Sequence, residues 1–220
     1  MSMAAAVLPK LAYVYAPMLA LVQAQHWPAA PTPEVMAAQV EKETCITLRH
    51  SRCWSPRAEL KTSRENGVGL GQITRAYNRD GSVRFDKQAE LRERYGALSG
   101  WTWKQRYDPR LQLTGLVLMD YSGHRRYSRL AATPGDAWAM TLSGYNGGDG
   151  AVMKDILLCR KSKGCDAGRW AGHVEVHSTK SRAKWHGYGQ SAYEINRGYV
   201  RRILNRAPAY RTFWSRDGRM

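Results

Sequence analysis

Apolar residues crowd Leu11 to Val22 (LAYVYAPMLALV), with Lys10 before the run and Pro17 inside it. The run predicts a helix over about Pro9 to Gln25, too short to span a bilayer. Val22-Gln23-Ala24 offers a small-residue cleavage site, so a signal or membrane-tethering role stands as the second reading. The three prolines of residues 27–33 make a stiff extended connector. Thr32-Pro33-Glu34 then reads as an N-cap, a first-turn proline and a first-turn acid, opening a helix to about Thr47. From Cys45 to Glu65 no period is sustained, which predicts a loop, and residues 66–74 (NGVGLGQIT) predict a glycine-rich turn.

Further along, helices are expected from about Asp86 to Tyr95 and from Asp108-Pro109 through LQLTGLVLM, a run apolar on nearly all sides and so central. Thr133-Pro134-Gly135-Asp136 caps a helix that stops at Gly147-Gly148. A short helix over 149–161, an irregular stretch over 166–189 and a last helix from about Ser191 to Asn205 complete the chain. No convincing strand exceeds four residues, which predicts a mainly α protein with at most a short β-hairpin.

The 220 residues suit one domain. We expect an N-terminal helix and connector over 1–32 packed on a main domain over 33–210, with a tail over 211–220. Charge stands out: 34 Lys and Arg against 18 Asp and Glu give a net charge of +16. Such a chain is drawn to polyanions, whether nucleic acid, anionic membrane or bacterial envelope. Eight Trp and 12 Tyr against two Phe favour rings with a polar edge, suited to a cleft that meets sugars as well as to a core. The four cysteines fall in two local pairs, Cys45/Cys53 and Cys159/Cys165. They fit two short disulfide loops or four reduced thiols, and His173 and His177 after the second pair raise the lesser alternative of zinc.

On the first strong helix Met36, Val40 and Glu43 share one face, and that face is apolar. Glu41 lies about 200° away and is free to point to water. Burial and the negative end of the helix dipole are both expected to raise the pKa of Glu43. An acid that keeps its proton near neutrality suits cleavage of a glycosidic bond.

Glu43-Thr44, then Gly67-Val68-Gly69-Leu70-Gly71-Gln72-Ile73-Thr74, then Ser143-Gly144-Tyr145-Asn146-Gly147-Gly148, then Tyr199-Val200 occur in that order. Together they resemble the soluble lytic transglycosylases, relatives of goose-type lysozyme. The wider pattern, with QVEKETC, ELKTSRENGVGLGQIT and YEINRGYVRRIL, looks most like the transglycosylase-type endolysins of tailed bacteriophages. Gly71 stands where that family has Met, and the span from Glu43 to Gln72 is longer than in compact members.

The resemblance implies an α+β lysozyme-like fold and a peptidoglycan-cleaving enzyme with Glu43 as its catalytic acid and base. It implies that Thr44, Gly69, Leu70, Gln72, Tyr145 and Asn146 line the substrate site. Tyr199 would bring its hydroxyl to the Glu43 carboxyl, and the helical wheel agrees, since Ile195, Tyr199 and Ile203 share an apolar face. No cofactor and no metal are implied. Asp149 and Glu65 lie near motifs as possible second carboxylates, and Glu194 takes no role. The expected partners are peptidoglycan glycan strands and, by charge, the anionic envelope, with the protein a monomer made in the host cytoplasm and active in the periplasm. A hydrolytic outcome on the same site, a virion-associated lysin and a basic nucleic-acid-binding module are the alternatives, the last without a recognition signature.

Overall fold

In the computed structural model, residues 6–184 and 189–215 are described. The elements in chain order are α1 (Ala12–His26), α2 (Glu34–Thr44), β1 (Glu59–Lys61), β2 (Glu65–Val68), β3 (Ile73–Tyr77), β4 (Val83–Asp86), α3 (Lys87–Arg94), α4 (Pro109–Tyr127), α5 (Pro134–Gly147), α6 (Asp149–Lys161) and α7 (Ala192–Arg206). The protein is mainly α-helical, with one small antiparallel sheet among the described residues, in the order β1-β2-β3-β4. The chain divides into two compact units, the first from Met1–Leu118 with Arg206–Met220, the second from Met119–Asn205.

In the first unit β1, β2 and the start of β3 occupy a stretch whose sequence predicts a loop and a turn, with room for one hairpin, and β4 lies beyond it, before the expected helix at Asp86. The strands are only three to five residues long, too short for side-chain alternation to show. Backbone pairing and cross-strand contacts build the sheet instead. Arg75 faces Asp86 in register and its Nε donates to Asp86 Oδ2 at 2.8 Å. The other oxygen of Asp86 accepts from the Ala89 N–H and caps α3.

Helix α2 begins differently from its sequence reading. Thr32 has φ +46° and makes no side-chain cap, while its carbonyl accepts from the Val35 N–H. The helix also ends at Thr44, three residues short of expectation. The Thr44 hydroxyl donates to the Val40 carbonyl at 2.7 Å and accepts from the Trp54 N–H at 2.8 Å, and Cys45 leaves in an extended conformation toward its disulfide with Cys53. A hydroxyl that satisfies both the last turn and the incoming loop gives the chain a local reason to stop.

Glu41 does not point to water. Arg206 Nε and Nη2 donate to its two carboxylate oxygens at 2.8 and 2.9 Å, and the Tyr210 hydroxyl donates to Oε2. Trp54 Nε1 in turn donates to the Tyr210 oxygen at 3.0 Å. The segment Ala207–Phe213, a tight 3-10 run after α7, thus belongs with α2, and Arg211 Nε reaches Glu34 at 2.9 Å. Of the tail expected over 211–220, Arg211 to Ser215 are described and the rest lies outside the described residues.

Burial, and then the bond to Glu41, push the Tyr210 phenol well above its ordinary range. A group whose folded pKa is raised contributes stability that is complete below its unfolded pKa and is lost as pH rises beyond it. Thermal melting should therefore fall more steeply above about pH 10 in the wild type than in Tyr210→Phe, a variant with no proton to lose at that position. Parallel melting curves from pH 8 to 11 would refute this.

In the second unit the sequence reading of α5 holds at both ends. The Thr133 hydroxyl accepts from the Asp136 N–H at 3.1 Å, and Gly148 follows Gly147 with φ +83°. Helix α6 carries Cys159, bonded to Cys165 across the turn at Gly164, so both local cysteine pairs are disulfides. Ser191 and Glu194 cap α7 reciprocally. The Ser191 N–H donates to Glu194 Oε2 at 2.7 Å and the Glu194 N–H to Ser191 Oγ at 3.1 Å. Those bonds, the backbone one first, hold the Glu194 carboxyl below its usual range.

Candidate active site

Glu43 sits in the last turn of α2. Met36 and Val40 on its face are fully buried as the wheel requires, but Glu43 itself is half-buried rather than sealed in the core. The face turns outward at the helix end because α2 stops one residue later. One turn earlier, at the i−4 position, lies Gln39. Its side chain is completely buried, and neither amide atom has a hydrogen-bond partner among the described residues. The two acids of this turn are differently placed: Glu41 is held by Arg206 and Tyr210, and Glu43, two residues on, is half-buried at the helix end.

The Gly67–Gln72 segment becomes the end of β2 and the turn into β3. Gly69 has φ +74°, and its N–H donates to the Ala58 carbonyl at 2.7 Å. The next N–H, of Leu70, donates to Gln112 Oε1 at 2.9 Å. Gln112 Nε2 donates to the carbonyls of Pro56 and Arg106 at 2.8 and 2.6 Å. One buried amide from α4 therefore ties three loop segments together, and a methyl group at Gly69 would collide with it.

Thr44, Gly69 and Leu70, expected along the sugar subsites, are thus engaged inside the unit, with Thr44 and Leu70 buried. Their observed contacts set the shape of the loop and the turn. Gly69→Ala should lower stability by about 2–4 kcal/mol, from left-handed strain and loss of the Gln112 bonds. Urea denaturation checks this, and a shift of less than about 1 kcal/mol would exclude it.

Gln72 closes the turn with φ +45°, an uncommon conformation for a residue with a side chain. Its Nε2 donates to the carbonyls of Gly69 and Ala58 at 2.9 and 3.2 Å. Oε1 is buried without a hydrogen-bond partner among the described residues. A side chain at Gly67 would press on that oxygen at 2.8 Å. The two hydrogen bonds of Nε2 orient the amide, and uncommon backbone conformations of this kind recur at ligand-binding sites.

In the second unit Tyr145 is half-buried and Asn146 exposed at the end of α5. Asn196 of α7 orders this end. Its Nδ2 donates to the Ser143 carbonyl and to Asn146 Oδ1, both at 3.0 Å. Lys180 Nζ donates to the Gly147 carbonyl at 3.3 Å, and burial holds its ammonium pKa below the usual value. Tyr199 is buried on the inward face of α7, with Ile203 one turn on, as the wheel predicts.

Beneath lies a buried ion pair, Arg197 Nη2 to Asp155 Oδ2 at 2.7 Å. Arg197 also donates from Nε to the Glu175 carbonyl and from Nη1 to Asn196 Oδ1. Asp155 accepts from Ser178 Oγ and from the N–H and hydroxyl of Thr179.

The sequence reading overlooked Gln112, Asn196, Lys180 and this pair. A signal existed for two of them. Asp155 interrupts the buried stripe Val152, Ile156, Cys159 of α6, and Gln112 is the lone amide in an otherwise buried apolar run.

The possible second carboxylates have other partners. Asp149 accepts from Arg126 and, at 2.8 Å, from the Tyr127 hydroxyl; burial first, and then the Asp149 charge and bond, raise the Tyr127 pKa. Glu65 is exposed, 3.8 Å from Arg84. Cys159, Cys165 and His177 offer metal-ligand atoms within 4.8 Å of one another, but the two sulfurs are bonded together.

Compared with protein-family models, curated proteins and solved structures, the chain matches none.

Proposed function

We propose that the protein is a peptidoglycan-cleaving lytic transglycosylase of the phage endolysin kind, with Glu43 as its single acid and base. The observation that carries this reading is the separation of the two acids at the end of α2. Glu41 is fixed by Arg206 and Tyr210 as a structural anion, while Glu43, which stands at the motif position, occupies the half-buried end of the helix. The rigid turn bearing Gln72, in the same unit, supports it.

In the proposed reaction the Glu43 carboxylic acid gives its proton to the oxygen linking N-acetylmuramic acid to N-acetylglucosamine. The muramyl acetamide oxygen bonds to the anomeric carbon as the C–O bond to the leaving sugar breaks. The muramyl C6 hydroxyl then attacks the same carbon, displaces the acetamide oxygen, and passes its proton to the Glu43 carboxylate. Glu43 ends protonated, no water is consumed, and a 1,6-anhydro ring closes. Both nucleophiles belong to the substrate, so the protein's contribution is to hold them and to carry one proton. The roles of Tyr145, Asn146 and Tyr199 as sugar contacts rest on the family resemblance.

The net charge of +16 draws the protein to the anionic envelope, and both disulfides suit an oxidising compartment such as the periplasm. Mass spectrometry of digested glycan tests the chemistry. Anhydromuramic ends are the expected product. Reducing muramic ends alone would replace the proposed ring closure with hydrolysis, and unchanged glycan would end the proposal.

A further inference from the structure

Helix α1 is largely apolar, yet one side of it lies at the surface. Its 15 residues, AYVYAPMLALVQAQH, include no Asp, Glu, Lys or Arg. One side, with Ala12, Ala16, Leu19 and Val22, is buried in the first unit. The other exposes Tyr13, Val14 and Leu21 at 60%, 57% and 67%, with Pro17 and Ala24 between and beyond them. At 100° per residue these five positions fall within about 100° of one another, so they form one stripe. Val7, five residues before the helix, is also exposed, at 73%, and the Phe213 ring meets Tyr13 edge-on at 5.9 Å between centroids.

A monomeric soluble protein rarely leaves such a contiguous apolar face to water. Its surroundings indicate what covers it. The first 33 residues contain no acid, and the helix is flanked by cations: Lys10, exposed, precedes it, and Arg110, also exposed, donates to Gln25 Oε1 at 3.0 Å near its end. A second copy docked face to face would set Lys10 and Arg110 against their own equivalents, on two chains each carrying +16. An anionic bilayer surface reverses the sign of that term and takes the apolar stripe as well. Tyrosine is at home at that depth. Among the described residues no helix is long and apolar enough to cross a membrane, so α1 would lie in the interface plane.

We propose that the outer face of α1 is a docking surface for a bilayer rich in anionic phospholipid. The proposal does not rest on glycan cleavage. The test is sedimentation of the full chain with phosphatidylglycerol-containing vesicles and with neutral phosphatidylcholine vesicles, at roughly 0.1 and 0.5 M salt, since charge attraction is screened at the higher value and apolar burial is not.

The wild type should pellet with the anionic vesicles and keep a substantial bound fraction at the higher salt. Val14→Gln/Leu21→Gln, which leaves the net charge unchanged, should weaken binding at least tenfold with no change in melting temperature, because both side chains are exposed. Leu157→Gln/Leu158→Gln, at exposed positions of α6, should bind as the wild type does. Equal binding by the α1 variant and the wild type would mean charge alone and would overturn the proposal. So would failure of the wild type to pellet, or a wild-type dimer in light scattering that this variant abolishes.

Discussion

Glu43→Gln should reduce clearance of purified cell walls by about a thousandfold or more, within the range that general acid–base catalysis contributes. The substitution removes the transferable proton while keeping the size of the side chain and an oxygen that can accept a hydrogen bond. The side chain is half-buried at a helix end, so the melting temperature should stay within about 2 °C of the wild type. Glu41→Gln supplies the contrast. It breaks the contacts to Arg206 and weakens that to Tyr210, so it should lower stability by about 1–3 kcal/mol, as loss of charged hydrogen bonds does, while the folded fraction keeps its activity. The readouts are turbidity loss of a wall suspension and thermal melting. Retained turnover in Glu43→Gln, or loss of activity in Glu41→Gln without loss of stability, would move the proton to another residue.

Asp155→Ala should have the largest effect on stability, about 3–5 kcal/mol, because it strands the Arg197 guanidinium in the interior. Asp155 is completely buried and Arg197 nearly so, and each makes several further hydrogen bonds that a partner's loss would disturb. Unfolding in urea followed by tryptophan fluorescence would show the loss directly. Asp155→Ala combined with Arg197→Met should recover a large part of it, since the uncompensated charge is gone. If the double variant is as unstable as the single one, the damage comes from the lost Ser178 and Thr179 contacts rather than from the charge.

The helices were legible because their signals are local. The Thr133 cap, the Asp108-Pro109 start, the Gly147-Gly148 stop and the even apolarity of 111–119 each specify an element from a few adjacent residues. The sheet was not, since strands of three to five residues, each with a charged group among them, carry no readable alternation, and their pairing is fixed by backbone bonds between segments. The same division runs through the site. The wheel located Tyr199 inward and Glu43 on the stripe of Met36 and Val40. It had no means of showing that Glu41, facing another way, would meet Arg206 and Tyr210 from the far end of the chain. Nor did motif matching show that Thr44, Gly69 and Leu70 are engaged by Trp54, Ala58 and Gln112.

The partner of Glu41 arrives 165 residues after it. A ribosome that has made α2 and the sheet has not yet made Arg206 or Arg211, so the first unit lacks its closing segment until the whole of the second unit has been made. The second unit, Met119–Asn205, is continuous and has all its residues sooner. Maturation therefore runs against the usual order in which the amino end folds first, and the helix bearing Glu43 gains its last supports only after the second unit has been synthesised.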